Sequence, residues 1–564
     1  MKKASLNIAL TSYLTYVETH GGEPTSRTKF RAHLSKFARD QLLRFCAYVN
    51  TSLFSAERSW DWRDHDAIVL RFLDPDLLRF RSTVQESRPP IVHREMLLFL
   101  AKETAAVCPT VGLDAWSGKN WDLAKLVLMA NEQLGFASAQ RIPGEDGLGM
   151  LANMITSSEG SRFSSWRHKM ARTALMMTNV LERNSELILQ FDVAGLFQEI
   201  TGVPLRTYLS LILSVATKKL SEQRQAEMLP PPFQIDGQWF RETIVAQAEL
   251  AAFLNDVSST PDQLTKDTKA THTHVSDFRC FAATPLIHIL DQYIPVDFDF
   301  LIDKAYSGIF WKLLGSLHGQ KEQSRFIAFW GSVFEEYANW VLEDSVREPS
   351  NRFLKDPRYF DDPSAQVCDA IIVSGSSACF LEYKGSMFKA DTKYTGDPWK
   401  LKSEIDLKLV GDAENRKGLL QLSKAISEVC GPNARKVKDL DLSGITKIYP
   451  VLVVRDDIAL SFWFNHYLAF RFRGVRPREK GKTITPLFVL GIDDLERVAN
   501  YLDSIPLSAI LDARWRADKD LIAPFFSVRN SAIPDAIRRQ SKVISQGSDL
   551  VYSMTNKVMF GRAG

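Results

Sequence analysis

Several motifs that would assign a chemistry are missing from this 564-residue chain. No G-x-x-x-x-G-K-[ST] motif occurs, because Arg476 stands where the first glycine before Gly481-Lys-Thr483 would be. Neither G-x-S-x-G nor H-E-x-x-H is present. These absences exclude a recognisable ATPase motor and leave the hydrolase chemistries of the other two motifs without support.

Cysteine is scarce, and its spacing fits neither a zinc ribbon nor a disulfide framework. None of the six cysteines forms a C-x-x-C pair, and free thiols suit a reducing compartment. No run of about 18 apolar residues occurs, so we expect no membrane span. A cytoplasmic protein is therefore expected. The cysteines are Cys46, Cys108, Cys280, Cys368, Cys379 and Cys430.

Charge of one sign is also lacking, since the formal net charge is only +3. Any sign of a nucleic-acid partner must therefore be local. The length requires two or more domains. We predict a mainly α-helical recognition or regulatory region over residues 1–277, ending in a polar linker at 257–277. A mixed domain over 278–500 and a helical extension over 501–564 are expected to follow.

Two local segments are strongly basic. Arg27–Phe45 has apolar residues near helical spacing and a polar face with five net positive charges, which we interpret as a solvated face in preference to a nucleic-acid contact. The Arg471–Lys482 segment is predicted to be a flexible loop that either contacts phosphates or forms a solvated turn. Its six basic residues are Arg471, Arg473, Arg476, Arg478, Lys480 and Lys482.

The most informative stretch is a predicted β-hairpin. Val367–Val373 and Ala378–Lys384 are rich in β-branched and aromatic residues, and four small residues separate them. A four-residue loop places Val373 opposite Ala378 and therefore Asp369 opposite Glu382. Because side chains alternate between faces, Glu382, Lys384 and Asp369 are expected on one face of the sheet.

Such a patch predicts a cation site. Directly opposed residues have Cβ atoms about 4.5–5.5 Å apart, where like charges destabilise a sheet. Two carboxylates at that distance share a proton or bind a cation, and oxygen ligands suit Mg²⁺ or Mn²⁺. With a lysine beside them to orient or deprotonate a nucleophile, these groups fit phosphodiester hydrolysis best.

With these residues the chain resembles the PD-(D/E)XK, or restriction-endonuclease-like, nuclease superfamily. Asp369 and the Glu382-Tyr-Lys384 element match its central motif. Gly331-Ser-Val-Phe-Glu335-Glu-Tyr337 is similar to its G-x-x-F-E-x-Y helix, in which Glu335 is favoured over Glu336 as the acidic residue. Gly418-Leu-Leu-Gln421 is similar to the helix that carries a glutamine in some branches. Cys368 departs from the pattern, which has proline before the aspartate.

The resemblance covers roughly residues 278–500 and implies an α+β chain, in which a mainly helical N-terminal half precedes an αβββαβ core and a helical tail follows. The sequence itself predicts a short strand at Arg358–Phe360, the hairpin next, and a further strand at Ile445–Val454, which is the order that the resemblance implies. A further strand is predicted at Thr485–Ile492, with a helix beginning near Leu495.

The implied function is a Mg²⁺- or Mn²⁺-dependent nuclease, with DNA favoured over RNA as substrate. Asp369, Glu382 and Glu335 would bind metal, Lys384 would position water, and Gln421 would assist near the scissile phosphate. A role in bacterial defence against foreign DNA follows by analogy alone. The alternative is a nuclease fold without turnover, acting as a nucleic-acid-binding or scaffold subunit.

Overall fold

A computed structural model of the chain describes residues 13–53, 62–84, 90–116, 120–138, 147–156, 166–225, 233–270, 275–343, 345–346, 351–394, 396–412, 417–533 and 541–561. The chain is a mixed α+β protein, mainly helical with two small mixed sheets. It divides into two compact units. The first comprises Met1–Arg141, Ala194–Leu313 and Val551–Gly564, and the second comprises Ile142–Val193 and Leu314–Leu550. Each unit is described by itself.

Helices dominate the first unit. Their apolar faces form one core that includes Phe30, Phe45 and Phe99, all fully buried. The helices that lie wholly or mainly in this unit are Tyr16–His20, Arg27–Leu34, Arg39–Leu53, Trp62–Phe72, Asp76–Val84, Arg94–Val107, Trp121–Ser138, Val193–Thr201, Leu205–Gln225, Gly237–Arg241, Gln247–Val257, Pro261–Ala270, Arg279–Ala283 and Phe298–Ser316, and the last helix of the chain is Lys542–Phe560.

The basic run Arg27–Phe45 is two helices, not the one that its periodicity predicts. The chain breaks after Leu34 because Lys36 and Ala38 exchange backbone hydrogen bonds with Leu113, at 2.7 and 3.0 Å. Two of its arginines do not form a free cationic face. Arg27 and Arg31 both bind the fully buried carboxylate of Glu103, at 2.7 and 2.8 Å.

A small sheet in the first unit was not predicted. Its strands are β1 (Ile235–Asp236), β2 (Ser258–Ser259), β3 (Leu286–Ile289) and β4 (Gln292–Pro295), in the order β1-β4-β3-β2. Strands of two to four residues are too short to show the period-two alternation that marks a strand. The predicted linker at 257–277 carries β2 and the Pro261–Ala270 helix instead.

The second unit contains the predicted hairpin within a six-stranded sheet. Its strands are β5 (Asn351–Lys355), β6 (Ala370–Ser374), β7 (Ser377–Lys384), β8 (Lys447–Val454), β9 (Thr483–Ile484) and β10 (Phe488–Gly491). The order is β10-β8-β7-β6-β5, with β9 beside β8. The pairs β5–β6 and β6–β7 are antiparallel, whereas β8 runs parallel to both β7 and β10.

Two strand predictions in this unit were wrong in position. The first strand is Asn351–Lys355 and not Arg358–Phe360, because Asp356 adopts a left-handed backbone (φ 48°) that ends the strand. The predicted strand Thr485–Ile492 shortens to β10, since Pro486 has no N–H for a ladder. The next helix begins at Ile492, where Asp494 accepts a hydrogen bond from Gly491 N over 2.9 Å.

Helices surround this sheet. Gln320–Glu343, here called the Glu335 helix, packs against β5 and β7, and Leu419–Cys430, here called the Gln421 helix, packs against β7 and β8. The other helices are Leu148–Thr156, Trp166–Leu175, Leu181–Arg183, Ser185–Gln190, Ala390–Tyr394, Pro398–Ile405, Phe464–Arg473, Ile492–Ala499 and Leu507–Ala517, with π-helical turns at Met176–Val180 and Asp406–Val410 and 3₁₀ turns at Asp457–Leu460 and Phe525–Ser527.

Within the described ranges, no single helix is both long and apolar enough to cross a membrane. One bent pair, Val193–Thr201 with Leu205–Lys218, reaches the required length and composition together.

Candidate active site

The hairpin forms in the predicted register. Val373 pairs with Ala378, and Ser374 pairs with Ser377, so only Gly375 and Ser376 make the turn. The loop is therefore two residues shorter than the four predicted. Gly375 lies in the left-handed region (φ 56°), which glycine adopts without a steric penalty.

This register brings Asp369 beside Glu382. The β6–β7 ladder ends at the pair Ala370 and Leu381. Asp369 and Glu382 are the next residues along these two segments. Asp369 N donates to Leu381 O over 3.2 Å, which continues the pairing by one bond. The Asp369 carboxylate is fixed in place because Oδ2 accepts from Tyr383 N at 2.5 Å and Oδ1 accepts from Gln366 Nε2 at 3.2 Å.

Lys384 completes the group. Its Nζ donates to Glu382 Oε1 over 2.5 Å, and the Glu382 side chain is 0% exposed. The second oxygen, Glu382 Oε2, is buried and has no hydrogen-bond partner within the described part of the chain. A buried carboxylate oxygen without a donor costs free energy unless a ligand binds it.

The Glu335 helix approaches the end of β7 closely. A Cβ added at Gly385 would lie 2.9 Å from Phe334 Cβ and 3.3 Å from Gly331 Cα. Glycine at 385 is therefore required for this contact. Tyr383 OH also donates to Asn339 Oδ1 over 3.2 Å, which ties the strand to the same helix. The helix that carries Glu335 is thus held against the strand that carries Glu382.

Glu335, and not Glu336, faces the acidic group. Glu336 binds Lys355 at 2.9 Å, on β5. Burial, with the Asp369 carboxylate next in importance, raises the pKa of Glu335 to about 7. The charges of Glu335 and Lys384 also act on each other, since Lys384 opposes this rise in pKa.

Burial sets the direction of the pKa shift at Glu382 and Asp369, but not at Lys384. It raises the pKa of Glu382 to about 8, with Lys384 opposing and Asp369 adding to the shift. It also raises the pKa of Asp369 above its ordinary value, against Lys384 and the Tyr383 amide. Burial alone would lower the pKa of Lys384, but the Glu382 and Asp369 carboxylates outweigh it and hold that pKa above its usual value.

A buried ionic cluster anchors the opposite face of the Glu335 helix. Tyr337 OH donates to Glu496 Oε1 over 2.7 Å, and Arg172 Nε donates to the same oxygen over 2.6 Å. Arg172 also forms an ion pair with Asp493. All four side chains are buried, and the cluster joins the Trp166–Leu175, Gln320–Glu343 and Ile492–Ala499 helices. No sequence motif predicts this network.

Gln421 lies on the predicted helix. Its helix packs against β7 and β8 through Leu422 and Ile426, and Gln421 itself is half-buried. Within the described residues, the Gln421 amide makes no hydrogen bond to Asp369, Glu382 or Lys384. Its predicted role stays a prediction.

The Arg471–Lys482 segment is only partly a loop. Arg471 and Arg473 belong to the Phe464–Arg473 helix, and Arg471 forms an ion pair with Asp406. Lys482 Nζ donates to Ile445 O over 2.9 Å. Ser423 Oγ donates to Val475 O over 2.5 Å, so the segment runs beside the Gln421 helix. The exposed cations of the segment are Arg473, Arg476, Arg478 and Lys480.

One acidic residue beside the site was missed from the sequence. Asp356 follows β5, and its backbone N donates to Asp369 O over 3.0 Å. Its carboxylate contributes to the raised pKa of Asp369, after burial, and to that of Glu335. The only available signal was its place just after a strand, and the strand itself was predicted at the wrong position.

The fit of this site to a hard cation rests on its donors. Asp369, Glu382 and Glu335 offer carboxylate oxygens, and Glu382 Oε2 is buried without a partner among the described residues. Such oxygens are the ligands that Mg²⁺ and Mn²⁺ prefer, so the residues fit the group. No set of three or more His, Cys, Asp or Glu side chains within the described ranges stands at metal-binding spacing.

Comparisons with known proteins give no family. No protein-family model matches the chain, and neither the curated proteins nor the solved structures give a significant match. The nuclease resemblance therefore rests on the motif residues of the sequence.

Proposed function

We propose that the protein is a metal-dependent nuclease that hydrolyses phosphodiester bonds, with DNA favoured over RNA. One observation carries this proposal. Asp369 and Glu382 lie side by side at the end of one hairpin, Lys384 binds one oxygen of Glu382, and the other oxygen is buried without a partner in the described structure. A buried acidic pair of this kind favours a hard cation.

Asp369, Glu382 and Glu335 would hold the ion. A bound Mg²⁺ supplies Lewis-acid polarisation of a phosphoryl oxygen and lowers the pKa of coordinated water. Lys384 would orient the attacking water, because its ammonium group lies beside Glu382 and carries three donors. Gln421 would contact the substrate near the scissile phosphate, since its helix packs on the two central strands.

The topology of the second unit supports the same proposal. The Glu335 helix is followed by the antiparallel strands β5, β6 and β7, then by the Gln421 helix and the parallel strand β8. This is the order of elements that the superfamily resemblance implies. The exposed cations of the Arg471–Lys482 segment, beside the Gln421 helix, would bind the phosphate backbone without reading its sequence. A role in defence against foreign DNA rests on analogy.

A second candidate is a nuclease fold that binds nucleic acid without turnover. The Lys384 ammonium group favours it, because that group already compensates Glu382 as a cation would. Tight binding to DNA or RNA, with no cleavage in Mg²⁺ or Mn²⁺, would support this candidate and contradict the first.

A panel of substrates tests the proposal. Purified full-length protein is incubated with plasmid, linear duplex DNA, single-stranded DNA and RNA, with Mg²⁺, with Mn²⁺ and with EDTA. We expect metal-dependent cleavage of at least one substrate, and its loss in Asp369→Ala, Glu382→Ala and Lys384→Ala variants that keep the wild-type circular dichroism spectrum. Undiminished cleavage by these folded variants would refute the assignment.

A further inference from the structure

Three acidic residues form one row across three adjacent strands. Lys355 pairs with Ala370, and Ala370 pairs with Leu381. The next positions along this row are Asp356, Asp369 and Glu382. Backbone hydrogen bonds continue the row, from Asp356 N to Asp369 O at 3.0 Å and from Asp369 N to Leu381 O at 3.2 Å. Asp356 is therefore as much a neighbour of Asp369 as Glu382 is.

The backbone of Asp356 is held in an uncommon conformation. Its φ of 48° lies in the left-handed region, which aspartate and asparagine tolerate better than most residues. Residues held in this region cluster at functional sites. The conformation ends β5 at this point and keeps Asp356 beside Asp369.

One of the two Asp356 carboxylate oxygens accepts hydrogen bonds from Arg358. Arg358 donates from Nε at 3.0 Å and from Nη2 at 2.6 Å, and both bonds end on Oδ2. Arg358 Nη1 donates to Ser364 O over 2.9 Å, which fixes the guanidinium group. Asp356 Oδ1 makes no hydrogen bond within the described residues, and the side chain is 44% exposed. One oxygen is therefore available to a ligand.

The charges of this cluster do not balance. Four carboxylates, from Glu335, Asp356, Asp369 and Glu382, face two cations, Lys384 and Arg358. A bound divalent ion would hold all four carboxylates in the ionised form, and its charge would neutralise the two negative charges that the two cations leave. On the other side of Asp369, Glu382 Oε2 is buried without a partner in the described structure, which favours a ligand at the Asp369–Glu382 end of this row.

We propose that Asp356 is an additional ligand of the divalent cation bound by Asp369, Glu382 and Glu335, acting through Oδ1 directly or through one water. This inference rests on the proposed metal-dependent function. In this arrangement Arg358 competes with the cation for the Asp356 carboxylate, because it already donates two hydrogen bonds to Oδ2. Loss of Asp356 is therefore expected to lower the affinity for the cation, and loss of Arg358 is expected to raise it.

Calorimetric titration of Mn²⁺ into the full-length protein tests this inference without relying on activity. Asp356→Asn keeps a residue that tolerates the left-handed backbone and still accepts from Arg358, so only the charge is removed. We expect Mn²⁺ affinity to fall about tenfold or more. Asp439→Asn is the matched control, because exposed Asp439 also has a positive φ (61°) and lies in the same unit. Its affinity should equal that of the wild type.

A second variant separates ligation from a structural role. Arg358→Gln frees Asp356 Oδ2 and removes a competing charge, so Mn²⁺ affinity should rise by about threefold. If both Asp356→Asn and Arg358→Gln bind Mn²⁺ with the affinity of the wild type, the inference is overturned and the proposed function is left intact. Absence of Mn²⁺ binding by the wild-type protein would overturn both.

Discussion

Lys384 Nζ lies 2.5 Å from Glu382 Oε1, whereas Glu382 Oε2 is buried and has no hydrogen-bond partner in the described structure. The two oxygens of one carboxylate thus have different roles. One accepts a hydrogen bond from the ammonium group, and the other has no donor in the described structure. The proposed function depends on this asymmetry, and so does the first prediction.

Glu382→Gln is expected to separate stability from function. Burial raises the pKa of Glu382 to about 8, so its ionised form is disfavoured in the metal-free protein at pH 7. Glutamine keeps the shape without the charge, and the free energy of unfolding in EDTA should stay constant or rise by up to about 2 kcal/mol. Cleavage should fall at least about 100-fold, because the ion loses a ligand. A stability loss above about 2 kcal/mol, measured by urea unfolding, would contradict this prediction.

Glu335→Gln and Glu336→Gln form a matched pair on one helix turn. Only Glu335 interacts with Asp369 and Lys384, whereas Glu336 binds Lys355. We expect Glu335→Gln to weaken Mn²⁺ binding and cleavage by about 10- to 100-fold, as loss of a metal-site carboxylate does. Glu336→Gln should change both by less than about twofold, since it removes a half-exposed ion pair. Equal effects of the two variants would show that Glu335 is not part of the site.

How much of this site follows from sequence differs between its parts. The hairpin register was predictable because two runs rich in β-branched and aromatic residues, with a short run of small residues between them, fix which side chains oppose each other. The position of β5 was not, because Asn351, Arg352 and Lys355 give Asn351–Lys355 little of the β-branched and aromatic character of a strand. Asp356 could not be assigned without that strand.

Long-range contacts explain the other differences. Residues 142–193 belong to the same compact unit as the sheet, and Arg172 binds Glu496 and Asp493 there. No local pattern shows that an arginine will meet carboxylates more than 300 residues away. The break between Leu34 and Arg39 has the same cause, since Leu113 supplies the backbone hydrogen bonds that interrupt the helix.

The exposed cations of the Arg471–Lys482 segment are expected to govern affinity and not turnover. Replacing Arg476, Arg478 and Lys480 together by glutamine should weaken DNA binding and lower the slope of log Kd against log salt by about one unit per charge. The rate at saturating DNA should change little. The control is Arg516→Gln, an exposed arginine of the same unit outside this segment. An unchanged salt slope in the triple variant would exclude a phosphate contact.

Gly385→Ala tests the approach of the Glu335 helix to β7. A new Cβ would lie 2.9 Å from Phe334 Cβ, so the helix must shift, at a cost of about 1–3 kcal/mol. Because Glu335 moves with the helix, cleavage should also fall. Gly444→Ala is the control, since a Cβ there meets no atom within 4 Å. Thermal unfolding checks both variants, and equal midpoints would contradict the close contact.

Asp494 gives a pH prediction for stability. Burial raises its pKa to about 7, while Gly491 N donates to Oδ2 over 2.9 Å. The pKa of Asp494 is higher in the folded state than in the unfolded state. Neutral Asp494 therefore contributes its full share to the free energy of unfolding below about pH 4, and this contribution is lost as the pH rises through 7. From pH 5 to pH 8, the free energy of unfolding of the wild type should fall by about 2–3 kcal/mol more than that of Asp494→Asn. Urea unfolding at several pH values checks this prediction. A free energy of unfolding that changes equally with pH in the two proteins would contradict it.

Metal-dependent cleavage by the wild-type protein, compared with folded Asp369→Asn, tests the central claim most directly. Both proteins are incubated with the cleaved substrate in excess Mg²⁺, and a third reaction contains the wild type with EDTA. The acidic pair predicts cleavage in the first reaction alone. Equal cleavage by the two proteins, or cleavage that survives EDTA, would contradict a metal site built on Asp369 and Glu382.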